Sequence, residues 1–283
     1  MFKATFDIIP AEKENTVFQN SLLLMEVGEK LFSYVFYSKQ DQQVLGFRQY
    51  MLDYFPGKSN FETLQEILAE DELLQLPLRE AYVIYNYTDS GLVPEKYFHI
   101  ELNKPIAELV SGNTRKGLLL SEKVTGWKMY NIYRIPREVH ALLQQKFAAG
   151  KYWHYNSLVL HDMKNAVEQT EDFIKIIIAA DNFLAAVYKE NTLQLIQTYT
   201  YQTPDDVSYC LLAICQQFHC NPETIPLKVS GLIDEQSILY QELLKYFLQV
   251  QWDLLPDNIS LQESFAQFPA HYFSPLLKMA LCV

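Results

Sequence analysis

The chain has 283 residues, 49% hydrophobic and 20% charged, the profile of an ordered globular protein rather than a disordered or fibrous one. A net charge of −11 argues against a broad electrostatic grip on nucleic-acid phosphates, and nine glycines leave few places for a Gly-rich phosphate cradle. No stretch approaches ~18 uninterrupted apolar residues, so no membrane span is expected.

Residues up to Asn20 form a polar lead-in of unfixed register. Three strands in a meander follow, Leu22 to Val27, Leu31 to Tyr37 and Val44 to Tyr50, stopped by the turn-rich Asp53 to Asn60 in which Pro56 withholds a donor. A helix from Phe61, capped by Asn60, carries Leu64, Ile67 and Leu68 on one face and closes before Pro77. Ala81 to Tyr87 is a strand with its turn at Asp89-Ser90-Gly91. Pro94 to Gly112 is helical with a break at Pro105, Gly117 to Val124 and Trp127 to Ile135 form an extra hairpin, and Pro136 opens a helix with Val139, Leu142, Leu143 and Phe147 inward. Tyr152 to Leu160 reads as a strand, and the polar Met163 to Glu171 as the boundary between two lobes, residues 1–162 and 163–283.

The second lobe repeats the order. Its meander is Phe173 to Ile178, Phe183 to Tyr188 and Leu193 to Tyr199. Thr203 and Pro204-Asp205-Asp206 lead into a helix reaching about His219, with acidic residues at its positive end. A strand from Ile225 to Val229, a helix from Glu235 to Phe247 with Ile238, Leu239, Leu243, Leu244 and Phe247 inward, a strand from Leu248 to Leu254 and a closing helix over Phe268 to Leu281 complete the chain.

This order in each half resembles an RNase H-like lobe, and two in tandem resemble the actin-like ATPase fold of actin, sugar kinases and pilus-assembly proteins. The run Val229 to Tyr240 is more narrowly similar to an uncharacterised bacterial family of that fold. The expected class is therefore α/β, with mixed sheets arising by internal duplication. The resemblance implies that ATP and Mg2+ would be held by an Asp-x-Gly turn in each lobe and a Gly-Gly turn for adenosine, because backbone N–H groups must approach phosphate oxygens and a carboxylate must meet the metal's water shell. Here the corresponding residues are Glu26, Gly28 and Lys30 in lobe one, and Asp181, Ser230 and Gly231 in lobe two. All three turns depart from the pattern: Glu replaces Asp, no glycine follows Asp181, and Leu232 and Ile233 follow Gly231.

The expected function is a non-catalytic scaffold or protein-interaction module with a degenerate nucleotide site; the alternative is a nucleotide-binding protein or slow Mg-ATPase. Other chemistry lacks a pattern. Glu26, Glu66 and Asp89 are the only trio available for a two-metal nuclease, the six histidines show no paired ligand spacing, and Ser230 lacks a nucleophile-elbow frame. Cys210, Cys215, Cys220 and Cys282 read as free thiols, and the N-terminus lacks the apolar core and cleavage site of a signal peptide, so a reducing cytoplasm is expected. Tyr82, Tyr85, Tyr87, Tyr130 and Tyr133 are either core residues or an exposed patch for a protein partner or a second copy.

Overall fold

A computed structural model describes residues 2–10, 14–54, 57–112, 116–167 and 172–282. Pro56 and the 168–171 end of the polar inter-lobe segment lie outside them. The chain forms two compact units, one of residues 1–162, 257–265 and 279–283, the other of residues 163–256 and 266–278.

In the first unit, β1 (Phe6–Ile8) and α1 (Asn15–Gln19) precede the meander β2 (Leu22–Gly28), β3 (Leu31–Ser38) and β4 (Gln43–Met51). Then come α2 (Asn60–Glu70), β5 (Glu80–Asn86), β6 (Ser90–Pro94), α3 (Asn103–Ser111), β7 (Leu118–Val124), β8 (Met129–Ile135), α4 (Arg137–Lys146), β9 (Lys151–His154) and α5 (Tyr155–Val167), which runs on into the second unit. Every residue of β2 is buried, as a central strand covered on both faces requires. The main sheet runs β1-β4-β3-β2-β5-β9, antiparallel through the meander and parallel from β2 to β5 to β9. The parallel steps need crossovers, and α2 and α4 supply them. Phe32, Tyr34 and Phe36 alternate onto one face of β3 and pack with Leu64, Ile67 and Leu68 of α2 and with Val139 and Leu143 of α4.

Ser59, rather than Asn60, caps α2, in a reciprocal capping box with Glu62. Asp89-Ser90-Gly91 does not turn freely but enters β6, which joins β8 and β7 in a separate three-stranded sheet over Val93, Ala107 and Ile132. The expected strand from Tyr152 stops at His154, and Leu158, Val159 and Leu160 are buried on α5 instead.

The second unit holds the meander β10 (Phe173–Ile178), β11 (Asn182–Lys189) and β12 (Thr192–Thr200), then α6 (Pro204–Gln217), β13 (Leu227–Gly231), α7 (Ile238–Leu244) and β14 (Val250–Trp252). Its sheet runs β12-β11-β10-β13-β14, antiparallel in the meander and parallel beyond it, the same order as β4-β3-β2-β5-β9. Three meandering strands followed by two parallel ones define an RNase H-like lobe. Val207, Leu211, Ile214 and Cys215 of α6 and Leu239 and Leu243 of α7 cover one face. Two residues expected inward on α7 point outward: Ile238 is 78% exposed and Leu244 39%.

The remaining chain adds β15 (Ser260–Leu261) beside β4 in the first unit and α8 (Ser274–Met279), which is shorter than the closing helix expected. Among the described residues no helix is long and apolar enough to cross a membrane.

Candidate functional site

Glu26, Gly28 and Lys30 lie together at the β2–β3 turn. Strand alternation brings the Glu26 carboxylate against its neighbours: Asn86 Nδ2 donates to Oε1 at 2.6 Å and Ser33 Oγ to Oε2 at 3.4 Å. Burial raises its pKa, and these two hydrogen bonds only partly oppose the rise. At Gly28 a Cβ would stand 3.0 Å from the Asn86 carbonyl, so the position is crowded by the neighbouring strand. Glu29 is exposed yet engaged, its carboxylate accepting from Thr88 Oγ1 at 3.1 Å and its carbonyl from Asn60 Nδ2 at 2.7 Å. The exposed Lys30 accepts the Leu52 N–H at its carbonyl.

In the second unit Asp181 sits in the β10–β11 turn, where its carboxylate accepts from Asn182 Nδ2 and its carbonyl from the Tyr201 N–H. Ser230 and Gly231 end β13, which runs parallel to β10 with Ser230 opposite Ile177 and Gly231 opposite Ile178. Asp181, Ser230 and Gly231 thus share the carboxyl end of two adjacent parallel strands, the end at which open α/β sheets bind ligands.

The hydrogen bonds there are internal, however. Gly231 N–H donates to the His271 carbonyl, Leu232 N–H to the Ile178 carbonyl and Ile233 N–H to the Gly231 carbonyl, while the His271 ring Nε2 meets the Ile233 carbonyl at 2.7 Å. Gly231 has φ +90°, and a Cβ on it would fall 2.1 Å from the Ile178 carbonyl oxygen. The glycine is therefore required by the approach of β13 to its own sheet. Ile233 is buried in the core. Ser230 Oγ is fully buried and has no hydrogen-bond partner.

The nuclease trio does not converge. Glu26 is bound to Asn86 and Ser33, Glu66 pairs with Lys58, and Asp89 lies beside Arg134 at 3.6 Å. Among the described residues no three His, Cys, Asp or Glu side chains are placed to hold a metal ion. The cysteines carry free thiols, and burial pushes Cys215 up to about 12, which keeps it protonated and unreactive. Tyr82, Tyr85, Tyr87 and Tyr133 are buried, so no exposed tyrosine patch forms from them, and Tyr130 stacks on Phe98 at 3.7 Å.

Three charged clusters escaped sequence reasoning. Asp71 Oδ2 accepts from Tyr34 Oη at 2.7 Å, Tyr50 Oη at 2.8 Å and Arg48 Nη1 at 3.1 Å, on the wall of a cavity of about 620 Å³ also lined by Asp7, Phe18 and Ile67. Glu122 accepts from the His154 N–H and from Tyr133 Oη, and the buried His154 ring sits 3.0 Å from the Tyr87 carbonyl. Asp253 meets Lys175 Nζ at 2.8 Å and also Lys278, with both lysines buried and the carboxylate 12% exposed. The partners in each cluster come from distant parts of the chain; only strand alternation, which puts Lys175 between Ile174 and Ile176 on the face opposite the core, hinted at one of them.

The two RNase H-like lobes define the class: this is a protein of the actin-like ATPase fold. A Bacteroides thetaiotaomicron protein with actin-like ATPase fold and unknown function superposes with a TM-score of 0.76 at 14% identity, covering 95% of this chain and 99% of that one. The PilM-PilN type IV pilus biogenesis complex contains a chain that matches with a TM-score of 0.59 at 13% identity, covering 93% and 98%. Residues 11–250 match the family described as protein of unknown function (DUF3822), and the chain belongs to that family. No curated protein matches it.

Proposed function

We propose that this protein is a non-catalytic, actin-like scaffold of bacterial origin that acts in the cytoplasm by holding protein partners, its lobes of residues 1–162 and 163–283 derived by duplication and its nucleotide turns closed. One observation carries the reading. The N–H groups of residues 231–233, at the position where adenosine would need open backbone, all donate within their own unit, and Gly231 is packed against Ile178. On the other turn, Glu26 is a buried carboxylate already bonded to Asn86 and Ser33, and Glu29 adds negative charge beside it. These residues do not fit a triphosphate with its Mg2+. A structural neighbour in complex with a partner protein, the PilM-PilN assembly, supports the same fold serving protein interaction.

The competing reading, ATP and Mg2+ held by Glu26, Gly28, Lys30, Asp181, Ser230 and Gly231, draws on Asp181 and Gly231 sharing one sheet end. Calorimetric and thermal-shift titration with Mg-ATP separates the two, because a ligand at 100 times its Kd stabilises by about 2.7 kcal/mol. The scaffold reading expects no saturable heat and no shift at millimolar ATP. Saturable binding abolished by Lys30→Glu and by Asp181→Ala overturns it. Both positions avoid the crowded Gly231, whose substitution would disturb the fold itself.

A further inference from the structure

The cavity beside Asp71 belongs to neither nucleotide turn and takes no part in the scaffold reading. It lies within the first unit, where the β1–β4 edge of the main sheet meets the carboxyl end of α2. Its volume of about 620 Å³ is that of a site for a small organic molecule, since such sites commonly enclose ~300–1,000 Å³ between apolar walls with a few placed polar groups. The walls here are apolar at Ile9, Phe18, Ile67 and Leu73.

The charge around the cavity is one-sided. Four carboxylates, those of Asp7, Glu70, Asp71 and Glu72, face one cation, Arg48, so the described lining residues carry an excess of three negative charges. Arg48 is already committed, because its Nε donates to Asp7 at 3.0 Å and its Nη1 to Asp71 at 3.1 Å. Asp71, whose side chain is 1% exposed, also accepts from Tyr34, Tyr50 and the Leu73 N–H. That network fixes one wall. It leaves the exposed Glu70 and Glu72 carboxylates with no donor among the described residues. These two also stand where helix physics disfavours them. α2 ends at Glu70 with no basic residue in its last turn, so three successive carboxylates meet the negative end of the helix dipole, which favours cations. A local cost of this kind is expected where function requires the residues.

We infer that this cavity binds a small organic cation, an amine or polyamine whose aliphatic stem lies along Ile67 and Leu73 and whose ammonium groups meet Glu70 and Glu72. The carboxylates select positive charge. The apolar walls select an aliphatic carrier over a bare metal ion, whose water shell they cannot replace. The enclosure selects a small molecule. Binding here is independent of whether the nucleotide turns hold anything.

The test is calorimetric titration of the full chain with spermidine and with putrescine at fixed ionic strength, repeated with Mg2+ and with trilysine. Saturable binding of an amine at one site is expected, with Mg2+ failing to displace it and trilysine binding no more tightly. The Glu70→Gln/Glu72→Gln double variant keeps every hydrogen bond of the Asp71 network and relieves repulsion at the helix end, so it should fold as well as the wild type. It should raise the dissociation constant by about tenfold or more. Glu70→Lys, which supplies an ammonium group from the protein itself, should weaken binding likewise. No amine binding by the wild type overturns the inference. Binding unchanged in both variants also overturns it, since that is the diffuse attraction of an acidic chain for polycations. Displacement of spermidine by Mg2+ at equal concentration overturns the choice of an organic cation. Tighter binding of trilysine than of spermidine overturns the choice of a small molecule in favour of a basic protein segment.

Discussion

Replacing Asp253 by Asn isolates the buried ion cluster of the second unit. Lys175 on β10 and Lys278 on α8 both contact this carboxylate, and Ser274 Oγ donates to its carbonyl at 2.7 Å, so the residue ties α8 to the end of β14. Burial alone would raise the Asp253 pKa, but the two lysines outweigh that and hold it at about 2. The amide keeps the shape and removes the negative charge that both buried ammonium groups contact, and breaking such a pair from one side costs about 3–5 kcal/mol. Urea denaturation near neutral pH should show that loss. The pH dependence has a definite sign: a carboxylate whose folded pKa is depressed contributes stability above its unfolded pKa, and the contribution disappears as pH falls through about 2. The shift from an ordinary value near 3.9 corresponds to about 2–3 kcal/mol, so the gap between wild type and variant narrows by that amount in strong acid. Replacing all three residues together by apolar side chains should recover most of the stability. An Asp253→Asn loss below about 1 kcal/mol would refute the argument, because the lysines would then have water or other partners sufficient to hold them.

Gly231→Ala should cost about 2–4 kcal/mol, from left-handed backbone strain and overlap with the Ile178 carbonyl, and thermal denaturation reads it directly. The buried His154 is held neutral, with burial lowering its pKa to about 4, so folding loses about 3 kcal/mol as pH falls from 6.5 to 4; a His154→Gln variant should show a flatter acid limb over that range in stability measurements. Glu122 beside it is raised by burial and works in the opposite sense, so the observed wild-type slope is the smaller net of the two. Ser59→Ala removes the cap of α2 and should lower stability by about 1 kcal/mol in the same assay.

The meanders were legible because continuous apolar runs such as Leu22 to Val27 and Phe173 to Ile178, bounded by polar turns, have few alternatives to central strands. The α6 boundary was equally legible, since Thr203, Pro204 and Asp206 each favour a helix start and the structure forms the capping box. Tyr152 to Leu160 was misread because a short apolar run fits either period; burial of Leu158, Val159 and Leu160 in a helix decided the matter through tertiary packing. The closing helix shrank to Ser274–Met279, and His271 and Tyr272 ahead of it form a packed turn, with His271 stacked on Trp252 at 3.8 Å. Of the candidate site, the turn positions could be read, but the use of their N–H groups could not. The acceptors at Ile178 and His271 lie some fifty and forty residues away from Gly231, and nothing local to Gly231 announces them. Asp71 and Asp253 were invisible for the same reason, since a buried charge is recognised by partners that only the fold assembles.

The division of the chain also sets a timetable. After the second unit's strands are made, residues 257–265 return to the first unit, 266–278 to the second and 279–283 to the first again. On the ribosome Lys175 emerges first, Asp253 reaches it much later, and Lys278 follows last; at ~5–20 residues per second the roughly 100 residues from Lys175 to Lys278 take about 5–20 s. Until residues 260–279 have been made the first unit lacks β15 and the second lacks α8. Both units therefore reach their final form only when the same late segment has been synthesised, which links their maturation in time through one strand and one helix.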